Sequence, residues 1–503
     1  MKITKLTLVL FLLPLFATAQ YHFPNAPTFT PEQLKSDVYF YKEYLENMQP
    51  GLYRYSTKEE VDAAFDQIAN DITEPMTMMQ FCTHVMPLLK VIGNVHTDIY
   101  PDADYYNNMN TYLFFPLDVY FYQNELYVLK DLTDEESVPH GSIIKTINGE
   151  SAADLFHEFS ALSTRDGQNT TYPNAWMSNT FYQWYFRIRG EVKNFELDVV
   201  SPEGLAHQVT VKAHKEPRRK VVQAERYPYS VTLRPGEDNS LLQLKIEDEY
   251  AVLTLKTLDA KFTKERGQNY KAFLKNAFQQ IEAAGVEHLI LDLRNNGGGK
   301  PGPAVDLLSY LNQEPFILYS RVEAVTKSIP KENHYFEKEG KWSPLARLAF
   351  KKKGDIYEIK GLAARMSGLK GTKPTKPVKR PYQGELYVLT NPYCGSTTGE
   401  LTGKLKCLDR VTFIGEESGG SPHTNVSGVT MILLLPNSHL RITLPLILFE
   451  VDINFDNEER GVVPDHIIEH PPADIFRNYD TAMEFTKDLI LKKSNNSTVS
   501  QEP

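Results

Sequence analysis

Two short runs in the second half of the chain hold residue types that can do chemistry together. Leu289-Ile290-Leu291-Asp292-Leu293-Arg294-Asn295-Asn296-Gly297-Gly298-Gly299 is an apolar run that stops in three glycines. Further on, Leu386-Tyr387-Val388-Leu389-Thr390 leads into Asn391-Pro392-Tyr393-Cys394-Gly395-Ser396-Thr397-Thr398-Gly399-Glu400. Each reads as a buried parallel strand that ends in a small-residue turn and passes into a helix. The first turn can bring bare backbone N–H groups to a substrate, and the second sets a hydroxyl at a helix N-terminus. An oxyanion site beside a nucleophilic serine needs those two parts.

The elements around these turns change character along the chain. Thr30-Pro31-Glu32-Gln33 opens a helix with a capping box, and Leu34, Val38, Tyr41 and Leu45 follow at helical spacing. Ser56-Thr57-Lys58-Glu59 opens a second helix, with Val61, Phe65, Ile68 and Ile72 on one face. A third is expected from Met76 to Val91, delivering His96 just past its end. From Phe115 to Ala213 short strands dominate, with a hairpin around Gln123-Asn124, an Asn148-Gly149 turn and a helix from Ala152. From Ser240 to Lys492 strands and helices alternate, which predicts an α/β sheet. The basic stretch Lys351 to Arg380 reads as a loop or lid insertion.

The 503 residues suggest about three domains. A net charge of −10 argues against nucleic acid as the main partner. Met1 to Lys5 is a basic start, Leu6 to Phe16 an apolar core and Ala17-Thr18-Ala19 a small-residue cleavage site. That is a secretory signal without a stable membrane anchor, so a periplasmic or secreted protein is expected. Cys82, Cys394 and Cys407 are too few for a disulfide framework and read as buried free thiols.

Four motifs in this order resemble a known superfamily. They are Asp292 to Gly299, Cys394 to Glu400, Ile414-Gly415-Glu416-Glu417-Ser418-Gly419-Gly420 and Arg460-Gly461-Val462-Val463-Pro464-Asp465. Together they are similar to the serine peptidases that include the tail-specific, carboxyl-terminal processing proteases and the tricorn protease core. The resemblance implies an α/β (α+β multidomain) fold, with a crotonase-like catalytic sheet, an N-terminal helical region and an inserted PDZ-like β-rich domain. The boundaries that follow are residues 1–19 for the signal, 20–112 for the helical region carrying His96 and 113–215 for the PDZ-like domain. Residues 216–493 form the catalytic domain and 494–503 a flexible tail.

The family's nucleophile falls on Ser396. It precedes Glu400 by four residues where the common form has three, and Thr397 occupies the three-residue spacing. Either the turn carries one extra residue or Thr397 is the acting hydroxyl. Tail-specific proteases use a lysine some way after the serine, but that place reads Glu417-Ser418-Gly419-Gly420-Ser421. The tricorn-like branch uses an N-terminal histidine instead, which matches His96, with Val95 where that branch has a serine. The supporting carboxylate falls on Glu458, with the adjacent Glu459 as the alternative. Oxyanion donors would be N–H groups of Gly297 or Gly298 and of Thr397. A base that accepts and returns a proton near neutrality suits histidine.

His466-Ile467-Ile468-Glu469-His470 matches a zinc-peptidase string, but Pro464 before it, Pro471-Pro472 after it and Ile467-Ile468 within it favour a strand. No metal and no cofactor are expected. The expected activity is hydrolysis of peptide bonds in a peptide or unfolded protein through an acyl-enzyme. The rival readings are a catalytically impaired peptide- or ligand-binding protein on the same scaffold, and a lysine-dependent protease.

Overall fold

The computed structural model describes residues 26–227, 240–327, 333–338, 348, 350–359, 369–455 and 459–499, with side chains to 493. The expected signal segment, and Glu458, lie outside the described residues. The capping box read at Thr30 forms and caps the helix Pro31–Met48, and Thr57 makes a second one at Lys58–Asp71, with Gln33 and Glu60 reaching back to the cap N–H. The single helix expected over Met76 to Val91 is instead a two-residue strand and two helices, Met78–Val85 and Leu88–Ile92. Pro87 stands between them, and a proline cannot donate the helical N–H that continuity requires.

The β-rich region is an antiparallel sheet in the order Ala206–Lys212, Asn194–Val200, Ile143–Ile147, Glu125–Asp131, Leu117–Tyr122. Gln123-Asn124 and Asn148-Gly149 take the left-handed backbone conformations that two-residue hairpin turns need. Against this sheet pack the helix Ala152–Ala161 and a longer helix, Thr171–Arg189, which the sequence did not announce.

The C-terminal half is built on a six-stranded sheet ordered Leu242–Ile246, Ala251–Leu255, His288–Asp292, Glu385–Thr390, Val411–Gly415, His466–Ile467. Only the first pairing is antiparallel. Its central strands are apolar throughout because both faces are covered. Leu289 and Leu291 join a core with the helices Tyr270–Ala284, Pro301–Leu311 and Thr397–Lys406. Ile290, Tyr387 and Leu389 turn the other way and pack with Ile490 of the C-terminal helix. That helix runs Thr481–Val499, so helical backbone continues past Ser494, where a flexible tail was expected.

A further sheet accounts for the delivery of the N-terminal region. The strands Thr424–Leu434 and Arg441–Val451 form a long hairpin, and Ile99–Tyr100 pairs with the second of them at Ile442 and Arg441. At the hairpin tip, buried Asp37 accepts N–H bonds from Asn437 (3.0 Å) and Ser438 (2.8 Å). The first helix and the hairpin share one apolar core. The basic stretch read as a loop or lid begins instead as a hairpin, Phe350–Lys353 with Ile356–Ile359, added to this sheet through Tyr319–Ala324. Phe350 is buried, Lys351, Lys352 and Lys353 are exposed, and Lys353 Nζ donates to buried Glu358 at 2.6 Å.

Candidate active site

The second chemical turn leaves the strand Glu385–Thr390 and enters the helix Thr397–Lys406 at Ser396. Ser396 has φ 50° and ψ −130°, a conformation that costs a non-glycine residue about 1–3 kcal/mol. Its surroundings hold it there. Gly395 N–H donates to Asn296 O (3.3 Å), Gly420 N–H to Cys394 O (3.0 Å), and Thr398 Oγ1 to Asn296 Oδ1 (2.8 Å). A Cβ on Gly420 would stand 2.9 Å from Ser396 N, so the glycine-rich loop lies flush against the turn. Ser396 makes no capping bond to its helix. Its half-buried hydroxyl is turned away from the structural duty that serine usually performs at this position. Thr397, by contrast, is buried, and its Oγ1 donates to Gly299 O at 3.3 Å.

The triple-glycine turn lies directly against the serine. Gly298 has φ 99°, and a Cβ there would meet Ser396 Cβ and Thr397 N at 2.9 Å each. Only glycine permits both the backbone conformation and the approach. The N–H of Gly298 is already given to Asn296 Oδ1 (3.0 Å). Of the donors expected here, this leaves those of exposed Gly297 and of Thr397, a first-turn N–H with no intrahelical acceptor. Buried Asn296 ties the two turns together, since its Nδ2 also donates to Leu255 O at 2.8 Å.

His96 follows the short helix Leu88–Ile92, which ends at left-handed Gly93. Its N–H donates to Asn94 Oδ1 (3.0 Å) and its carbonyl accepts from Thr443 Oγ1 (3.0 Å) of the long hairpin. Its Nδ1 is buried and unpartnered among the described residues. Burial pushes the imidazole down to about 4. No hydrogen bond joins His96 to Ser396 among the described residues, but a chain of contacts does. Buried Asp166 accepts from Val95 N–H (2.9 Å) with one oxygen and from Ser421 N–H (3.0 Å) with the other, and Ser421 follows the Gly420 that packs on Ser396. Burial, opposed by those two bonds, lifts the Asp166 carboxyl to about 6.

Glu459 contributes its backbone, not its carboxylate: its carbonyl accepts from Gln168 N–H at 2.8 Å, while its side chain is exposed. Neighbouring Arg460 forms an ion pair with buried Glu417. The lysines on the helix after Ser396 are both engaged elsewhere, Lys404 with Asp452 (3.0 Å) and Lys406 with Asp465 (2.5 Å). His466–Ile467 is a strand, and no cluster suited to a metal ion occurs among the described residues. The three cysteines are free; Cys82 and Cys394 are buried and Cys407 is half-buried.

Three residues beside this site were not read from the sequence. Asp166 is one. Glu400, the residue against which the position of the serine is spaced, is buried one helical turn from Ser396, where Tyr319 OH donates to its Oε2. Asn425 donates through Nδ2 to Glu400 Oε1 (2.7 Å) and to Ser396 Oγ (3.4 Å). Nothing in the local pattern of Thr424-Asn425-Val426 signals that role.

Comparison with known proteins agrees with this architecture. An alanine mutant of CPAF superposes with a TM-score of 0.64 at 14% identity, covering 93% of this chain and 98% of that one. Mature CPAF gives 0.61 at 14% identity, covering 92% and 96%. At such identity the likeness establishes the shared fold. No curated relative matches the chain in sequence. Residues 249–468, which contain both chemical turns, match the profile described as peptidase family S41; the chain therefore carries a domain of that family and is a serine-type peptidase.

Proposed function

We propose that the chain is an exported endopeptidase or processing peptidase in which Ser396 is the nucleophile and His96 the general base. The observation that carries this reading is the strained, uncapped Ser396 pressed against Gly298 at a helix N-terminus. Ser396 Oγ attacks the peptide carbonyl while His96 takes its proton, and the helix dipole favours the negative charge that develops. The oxyanion is held by N–H groups of Gly297 and Thr397, each such donor contributing about 2.7–4 kcal/mol to the transition state. His96 then gives its proton to the leaving amine, and water hydrolyses the acyl-enzyme. Glu458 is the carboxylate assigned to Nδ1–H, an assignment supported by the family pattern and by the orphaned state of that buried nitrogen.

The substrate is an extended peptide or unfolded protein. A PDZ-like role for residues 113–215 is supported by the edge strands of that sheet, Leu117–Tyr122 and Ala206–Lys212, which an incoming strand could extend. Export to the periplasm or medium is supported by the basic, apolar and small-residue succession of residues 1–19.

Labelling with a fluorophosphonate probe, followed by peptide mapping, tests the nucleophile. The adduct is expected on Ser396. An adduct on Thr397 would reassign the hydroxyl, and peptide binding without any adduct would make the chain a catalytically impaired binding protein.

The Asp166 clasp gives a second expectation. Asp166→Asn keeps one acceptor oxygen but sets an NH2 group against one of the two backbone donors. The loop carrying His96 then loses its tie to the nucleophile turn, and kcat is expected to fall on the order of 10²-fold, as a displacement near 1 Å does. Steady-state kinetics on an unstructured peptide measure it, with KM changing little.

A further inference from the structure

We propose that Asn425 is a further catalytic residue, its side-chain amide donating to the oxygen of Ser396 while Glu400 and Tyr319 hold that amide in place. The proposal rests on the reading of Ser396 as the nucleophile. Asn425 is the second residue of the strand Thr424–Leu434 and is 5% exposed. Its Nδ2 carries two hydrogens. One is taken by Glu400 Oε1 at 2.7 Å, and the other reaches Ser396 Oγ at 3.4 Å.

The orientation of this amide is over-determined. Glu400 is 1% exposed on the first turn of the helix that follows Ser396, and its second oxygen accepts from Tyr319 OH. A carboxyl oxygen facing the amide selects its NH2 end, so it is Nδ2 that points at the serine. Burial lifts the Glu400 carboxyl to about 7, so both its forms are populated near neutrality. When it is protonated, its O–H can be given to the Tyr319 oxygen while Oε1 still accepts from Asn425. The amide keeps its direction in either form.

The chemical consequence follows from which atom receives the bond. A donor on Oγ occupies a lone pair and leaves the serine proton free to travel to the base. It also stabilises the charge that builds on Oγ as that proton leaves, and again when Oγ departs in deacylation. A contact of 3.4 Å is long in the resting enzyme and tightens as the oxygen gains charge. The backbone donors of the oxyanion site face the substrate oxygen, so Asn425 acts on the other charged atom of the transition state.

The test compares Asn425→Ala, Asn425→Ser, Glu400→Gln and Ser396→Ala with the unaltered full chain. The readouts are peptide cleavage, fluorophosphonate labelling rate and melting temperature. Serine at 425 keeps a hydroxyl on the Glu400 side but is too short to reach Oγ, so it covers the case in which alanine fails to fold. Both Asn425 variants are expected to lower kcat about 10²-fold and slow labelling by the same factor, as loss of one charge-stabilising donor does, with KM within about threefold. Glu400→Gln, acting through Asn425, is expected to cost about tenfold. A folded Asn425→Ser variant that cleaves and labels within threefold of wild type overturns the proposal, as does a loss confined to KM. If Ser396→Ala itself cleaves normally, the nucleophile assignment fails instead, so the two failures are distinguishable.

Discussion

Ser396→Ala is expected to lower peptide cleavage on the order of 10⁶-fold while leaving the melting temperature close to that of wild type. Assays on casein or an unstructured peptide, with matched thermal unfolding, measure both. The size of the loss follows from the absence of a substitute hydroxyl. Thr397 is the nearest, but it is buried, begins the helix and donates its Oγ1 to Gly299 O. To attack it would have to leave that bond and unwind the first turn. Thr397→Ala keeps the backbone N–H assigned to the oxyanion site and is expected to stay within about tenfold of wild type. The ratio between the two variants therefore decides the register that the four-residue spacing to Glu400 left open. Fold retention is expected because Ser396 Oγ makes no helix cap, so its removal strands no buried backbone group.

Parts of the molecule governed by short-range chemistry were legible in the sequence. The capping box at Thr30, the Asn148-Gly149 turn and the two strand-turn-helix units each depend on residues within a few positions of one another. What escaped depends on distant partners. The hairpin Thr424–Leu434 with Arg441–Val451 is stabilised by Ile99–Tyr100, Tyr319–Ala324 and Phe336–Lys338, segments with no sequence link to it. Thr170 makes no capping bond to the helix Thr171–Arg189, whose Tyr172 N–H is taken by Asn169 Oδ1 instead, and Pro173 stands in the first turn, so its start resembles a loop. The same contrast holds at the site. Ser396, Gly297, Gly298 and His96 sit in motifs with a recognisable order. Asp166 and Asn425 owe their significance to burial and to what faces them, and Glu400 looked like a spacing marker until Tyr319 and Asn425 closed around it. The exclusion of lysine has a physical basis as well. Lys404 is spent on Asp452 and Lys406 on Asp465, so neither is poised to take a proton from the serine.

The second large effect concerns the base. His96→Gln is expected to lower kcat/KM on the order of 10⁶-fold, and the pH profile of the wild-type enzyme is expected to show why. Burial pushes the imidazole from its ordinary value down to about 4, because the charged form is the one that loses hydration. The neutral form is the base, so protonation of His96 itself lowers kcat/KM only as the pH drops through about 4, below the earlier step expected from protonation of the Asp166 clasp near 6. An exposed histidine would instead halve the rate near pH 6.5, and a lysine base would demand alkaline conditions. The sign for stability runs the same way. The folded pKa lies below the unfolded one, so protons bind preferentially to the unfolded chain, and the stability tied to neutral His96 is complete above the unfolded value and declines from there towards pH 4. Initial rates must therefore be taken before acid unfolding sets in. Glu458→Gln tests the proposed support: if that carboxylate serves the imidazolium that forms during attack, its loss lowers kcat while leaving the serine able to bind the probe. An alkaline optimum would contradict an imidazole as the proton acceptor.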